Sequence, residues 1–155
     1  MTKAKKPESA VKETKKIIEK LVKLLEVKAE VEVKSSEGVI LVDLGSSETA
    51  NLIGYHGETL NALQSLTNLM LWRKMDEWTS VVVDIDGYRD KRKDSLEKMA
   101  QNVAQKVKFS GQPQALPPMS AFERRLVHLV LSEDAQVETV SEGDSERRVV
   151  VRPKS

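Results

Sequence analysis

The sequence contains no cysteine. That excludes a disulfide scaffold, a thiolate zinc site and a cysteine nucleophile. Its 2 histidines, His56 and His128, lie far apart in the chain, which argues against a histidine-based metal centre. Aromatic residues make up only 4% of the chain, so base stacking on exposed rings is not expected to be a main mode of binding. No apolar run approaches the ~18 residues of a membrane-spanning helix. The opening MTKAKKPES has basic residues but no apolar block behind them, and therefore does not read as a secretory signal. There is no GxxxxGK[ST] phosphate loop. These absences point to the cytoplasm and away from catalysis, with no cofactor expected.

Hydrophobic residues (39%) and charged residues (32%) are in the proportions of an ordinary soluble fold, and 155 residues suffice for one domain or two small ones. The net charge of +1 conceals a segregation. Residues 1–36 hold 10 Lys or Arg against 6 Asp or Glu, and residues 37–88 hold 2 against 8. Residues 89–112 hold 7 against 3, and residues 113–155 hold 6 against 7. Two basic blocks thus flank an acidic middle. Such blocks are either nucleic-acid footprints or solvated helix faces.

The apolar residues Val11, Ile17, Ile18, Leu21, Val22, Leu24 and Leu25 fall at helical spacing over residues 9–26. Alternation predicts strands over 29–34 and 39–44, joined by the turn Ser35-Ser36-Glu37-Gly38. Ser46 or Ser47 is a candidate cap for a short helix ending at Ile53. Gly54-Tyr55-His56-Gly57 interrupts it, and a longer helix follows over 58–74, with Leu60, Leu63, Leu66, Thr67 and Met70 expected to face inward. A valine-rich strand spans 78–86. A basic helix over 89–109 ends at Gly111. After an extended, proline-bearing connection, Ser120-Ala121-Phe122-Glu123 reads as a capping box opening a helix to about residue 132. Two strands, 137–140 and 147–152, complete the chain. Trp72 and Trp78 sit beside apolar positions and are expected in the core or at a domain junction.

Two spacings carry chemistry. The glycines of the GxxG tetrad let the backbone approach a ligand, and the helix behind it presents N–H groups at positive potential, a setting suited to phosphate. Alone such a tetrad is usually a plain connection. In an α-β-β-α-α-β order, with Leu52 and Ile53 ahead and Glu58-Thr59-Leu60-Asn61-Ala62-Leu63-Gln64 behind, it resembles a KH domain, which clamps single-stranded nucleotides at this loop. The second spacing is Arg124-x-x-x-His128. On a helix these two side chains share a face and make a small anion site from a planar fork and a titratable donor. With Pro118-Met119-Ser120 before it, and Ser141-Glu142-Gly143 and Arg147-Arg148 after it, this segment resembles the domain named for that spacing, written R-3-H here.

A KH domain followed directly by an R-3-H domain resembles the bacterial Jag, or SpoIIIJ-associated, family. The resemblance covers residues 10–152 and includes Asp86-Gly87-Tyr88-Arg89. It implies an α+β chain: residues 1–8 a disordered tail, 9–87 a KH-like domain, 88–155 a small α/β R-3-H domain. It further implies a non-enzymatic, single-stranded RNA-binding protein of the cytoplasm, acting in post-transcriptional control of cell elongation and division, that pairs with a small single-KH-domain protein. The candidate RNA-binding residues are Gly54, Tyr55, His56 and Gly57 in the KH loop, and Arg124, Arg125, His128, Arg147 and Arg148 in the R-3-H domain. Two departures qualify the match. Many members carry a separate N-terminal domain, which this sequence is expected to lack. Their GxxG loops usually hold Lys or Arg, where this one has Tyr55 and His56 followed by Glu58. That shifts the expected binding toward the C-terminal half. The rival readings are a protein-interaction module, a single-stranded DNA binder, and a metal-dependent enzyme built on Asp84, Asp86 and Asp90. For those three aspartates a strand end, a turn and a helix start are the simpler roles.

Overall fold

The computed structural model of the chain describes residues 5–155. Helix α1, Lys5–Leu24, starts inside the segment read as a tail. Residues 5–8 of that expected tail are therefore helical, and residues 1–4 fall outside the described residues. Ala10, Thr14, Ile17, Ile18 and Val22 form its buried stripe. Thr14 tolerates burial because its hydroxyl donates to the Ala10 carbonyl at 2.7 Å. Leu24 and Leu25, at the end of the helix, stay exposed.

Strands β1 (Glu30–Ser36) and β2 (Val39–Gly45) pair antiparallel, with Val33 opposite Val42. Their two-residue turn is Glu37-Gly38, both at positive φ (49° and 82°), which matches the twist of a hairpin. Helix α2 covers only Thr49–Ile53. Neither serine caps it. Ser46 Oγ instead donates to the Lys28 carbonyl and accepts from the Glu48 N–H, tying the loop to the segment ahead of β1. A single 3-10 turn, Tyr55–Gly57, leads into α3, Glu58–Met75. Strand β3, Ser80–Ile85, lies parallel to β2 and completes a three-stranded sheet of order β1-β2-β3.

The core of this unit brings Ile18 and Val22 together with Ile40, Val42 and Leu44, with Leu52, Leu60, Leu63 and Leu71, and with Val81, Val83 and Ile85. Truncating one of its fully buried leucines, such as Leu60, to alanine costs about 2–5 kcal/mol in comparable cores. The inward face of α3 is Leu60, Leu63, Thr67 and Leu71. Leu66, expected inside, is 44% exposed, and Leu69 (48%) lies outside with it.

The free edge of β3 is closed by side chains. Asn68 accepts from the Val81 N–H (2.8 Å) and donates to the Val81 carbonyl (2.9 Å). One helical turn earlier, Gln64 accepts from the Val83 N–H at 2.9 Å. Arg89 Nε donates to the Val83 carbonyl at 2.8 Å. A strand whose backbone is satisfied in this way offers no template to another strand.

Chain contacts divide the molecule between Arg89 and Asp90, in the first turn of α4, Tyr88–Ser110. In the second unit, β4 (Gln114–Ala115), β5 (Val137–Glu142) and β6 (Arg148–Pro153) form an antiparallel sheet of order β4-β6-β5. The proline-rich connection thus contains a two-residue strand that its composition hid. Helix α5, Ala121–Leu131, opens on the expected capping box of Ser120 and Glu123. Val103, Val107, Leu116, Val127, Leu131, Val137, Val149 and Val151 are buried together.

Candidate nucleic-acid interface

The GxxG loop is shaped by three residues at positive φ. Gly54 has φ 70° and ψ −170°, a conformation open essentially to glycine. His56 (φ 50°, ψ 30°) and Gly57 (φ 83°, ψ 12°) are both left-handed, and α3 begins directly after them. The sequence alone suggests that the glycines permit close approach of a ligand. In the structure, what approaches closely is protein. A Cβ on Gly54 would collide with the Thr59 side chain, and one on Gly57 would lie 2.9 Å from the Tyr88 ring. Tyr88 therefore seats the loop, a role not visible from spacing. Tyr55 is exposed and His56 half-buried, and their rings pack at 3.9 Å between centroids. The loop offers aromatic surface and no permanent cation.

Tyr88 is followed by Arg89, whose guanidinium holds Asn61 Oδ1 (3.0 Å) and Gln64 Oε1 (2.9 Å) on α3. Burial lowers the Arg89 pKa, the nearby Asp84 carboxylate raising it in partial opposition. Asp84 Oδ1 accepts from the backbone N–H groups of Ile85 and Arg89. Its job is to turn the chain and start α4. Among the described residues, no group of three or more His, Asp or Glu is placed to hold a metal ion.

In the second unit α5 carries Arg124 and His128 on neighbouring turns, and each is held by protein groups: both ring nitrogens of His128, expected as a donor to an anion, face hydroxyls instead. Arg124 Nη1 donates to the Met119 carbonyl at 2.9 Å, and the Met119 N–H donates to the Arg147 carbonyl at 3.0 Å. These two bonds bring the start of α5 beside the end of the β5–β6 hairpin. Arg124 acts on His128, lowering its pKa in second place after burial. Both ring nitrogens of His128 face hydroxyls: Nδ1 is 2.6 Å from Thr139 Oγ1, and Nε2 is 2.8 Å from Ser141 Oγ. Thr139 and Ser141 alternate on one face of β5, a relation that strand periodicity could have suggested. That this face meets His128 is a tertiary fact. The side chains of Arg125, Arg147 and Arg148 are exposed, and among the described residues none of the three makes an ion pair or hydrogen bond. The second unit thus holds an imidazole braced by two hydroxyls, an arginine fixed at one nitrogen, and three unpaired guanidiniums. This can receive an extended polyanion.

The histidine carries a stability consequence. With its pKa lowered in the fold, the unfolded chain takes a proton near pH ~6.5 that the folded chain refuses. Stability is therefore full above that value and declines as pH falls from there toward the folded pKa. Urea unfolding at about pH 7.5 and about pH 5.5 should show a smaller acid loss in His128→Gln than in the parent. An equal loss in both would remove His128 as the cause.

Two family models match the chain. The family model "KhpA/KhpB, KH domain" matches residues 13–85, and that of the R-3-H domain matches residues 94–153. The RNA-binding protein KhpB of Bacillus subtilis (strain 168) is 34% identical over 143 residues, which are 91% of this chain and 69% of that protein. The chain belongs to the KhpB, or Jag, family. The KhpB of Clostridium symbiosum is 36% identical over 121 residues, 78% of this chain and 54% of that protein. That of Lactiplantibacillus plantarum is 35% identical over 131 residues, 84% and 41% respectively. The chain spans about half the length of these last two relatives. The α+β fold, with a KH domain followed by an R-3-H domain, is that of the family. Among the described residues no helix is long and apolar enough to cross a membrane.

Proposed function

We propose that this KhpB-family chain binds single-stranded RNA mainly through its R-3-H unit, as a non-catalytic, cytoplasmic regulator acting after transcription. The observation that carries this is Arg124 acting on His128, together with the exposed guanidiniums of Arg125 on α5 and of Arg147 and Arg148 on the hairpin whose Arg147 main chain meets the start of that helix. The Gly54–Gly57 loop contributes less, because Tyr55 and His56 stand where cations would grip phosphate. Cell elongation and division are the processes such regulation would serve. The test is titration of the full chain with a labelled oligouridine and with a duplex of equal length. Single-strand binding in the micromolar range, with duplex binding weaker, supports the reading, and absence of binding to either overturns it. Single-stranded DNA of matching sequence tells whether the ribose hydroxyls matter.

A second reading concerns the KH unit. Leu66, Leu69, Trp72 (45% exposed) and Trp78 (66%) leave apolar surface on and just after α3. This favours a protein contact there, and a small single-KH-domain protein is the partner the family resemblance suggests. It coexists with RNA binding at α5.

A further inference from the structure

Scarce aromatics argued against base stacking, but composition does not say where the rings lie. Five of the chain's six aromatic side chains are exposed, and Tyr88 is the exception. They differ in their surroundings. Trp72 shares its side of α3 with the exposed Leu69, in the apolar surface assigned above to a protein contact, while Trp78 directly follows Asp76 and Glu77 and Tyr55 is followed closely by Glu58, carboxylates that repel a polyanion. Phe109 lies at the end of α4, where the ammonium of Lys108 is taken by Asp134. Phe122 is set differently. It is 78% exposed in the first turn of α5, on the side away from the buried residues Glu123, Val127 and Leu131. Arg125 follows it by three residues and the exposed Leu129 by seven, which places the three on one solvent face. Arg124 lies on the other side of the helix, its Nη1 held by the Met119 carbonyl, and the Met119–Arg147 backbone bond brings the Arg147 main chain to the start of the same helix.

A flat, desolvatable ring with a free guanidinium one turn away matches the chemistry of a single strand. The guanidinium meets a phosphate, and a splayed base covers the ring. A protein partner would need a wider apolar area than Phe122 and Leu129 supply, and the exposed Arg125 stands between them along that face. We infer that Phe122 is a nucleobase-stacking platform: a base lies on its ring while Arg125, one turn along the same face, holds an adjoining phosphate. This rests on the RNA-binding reading above and deepens it.

The test compares the full-length parent with Phe122→Ala and Phe122→Trp on an oligouridine, and on a strand of equal length whose riboses carry no bases. Stacking platforms lose about five- to a hundredfold in affinity on truncation to alanine. Phe122→Ala should show a loss of that order on the oligouridine and none on the base-free strand, and Phe122→Trp should hold or improve the affinity. If Phe122→Ala binds the oligouridine as the parent does, or loses equally on both strands, the ring is no platform. If the parent itself binds neither strand, it is the RNA-binding reading that fails. Because Phe122 is outside the core, amide exchange over α5 should be the same in all three proteins.

Discussion

Replacing Gly54 by alanine is expected to destabilise the KH unit by about 2–4 kcal/mol, through backbone strain and a collision added together. At φ 70° and ψ −170° an L-residue pays of order 1–3 kcal/mol for the backbone alone. The new methyl would also overlap the Thr59 side chain and come within 3.0 Å of the Thr59 backbone nitrogen, in the first turn of α3. A side chain could swing aside, but backbone inside a helix cannot. Gly38 supplies the comparison: it too has positive φ (82°), but a Cβ there meets nothing within 4 Å. Gly38→Ala should therefore cost only about 1 kcal/mol, the conformational part. Hydrogen exchange resolved by segment measures both, with the loss for Gly54→Ala centred on residues 49–75. Equal losses for the two variants would mean that the loop is not held as described.

The second large effect lies in α5. Glu123 is 8% exposed and serves two partners: Oε1 accepts from Arg92 Nε at 2.7 Å, and Oε2 accepts from the Ser120 N–H at 3.1 Å. Ser120 Oγ in turn accepts from the Glu123 N–H. Glu123→Ala leaves the Arg92 guanidinium, itself only 16% exposed, without its counter-charge, and removes half of the capping box. Breaking one partner of a buried pair costs more than the pair contributes, because the other charge remains buried. The expected loss is about 2–4 kcal/mol, with Glu123→Gln intermediate because an amide oxygen still reaches the Ser120 N–H. Trp72 and Trp78 both lie in the first unit, so tryptophan fluorescence is the wrong probe; far-UV circular dichroism or exchange over residues 90–155 reads the loss. A cost under about 1 kcal/mol for Glu123→Ala would place the pair among surface bridges.

Some of this was legible in the residues. The Ser120–Glu123 box and the Arg124–His128 spacing are local, and local geometry is set by helix periodicity. The order of elements through the GxxG loop was readable for the same reason. What failed was orientation. Helix α3 is apolar on several faces, so its pattern did not separate inward Leu71 from outward Leu66 and Leu69. Trp72 and Trp78, expected in the core or at a domain junction from their apolar neighbours, stay out of the core, which is filled by aliphatic side chains from α1, α3 and the sheet. Other features depend on residues distant in sequence and leave no spacing signature: Asn68 and Gln64 closing the β3 edge, Tyr88 under Gly57, and Thr139 and Ser141 on the His128 ring.

The assignment of RNA binding to the α5 face is tested most directly by the salt dependence of oligouridine affinity, compared between the parent, Arg124→Ala and His56→Glu. Each phosphate neutralised on a single strand contributes about −0.7 to the log–log slope. Arg124→Ala should lower the magnitude of the slope by about that amount and weaken all sequences alike, while His56→Glu leaves the slope close to the parent's. The account is contradicted if Arg124→Ala keeps the parental slope and affinity while His56→Glu abolishes binding, since the strand would then be held at the GxxG loop.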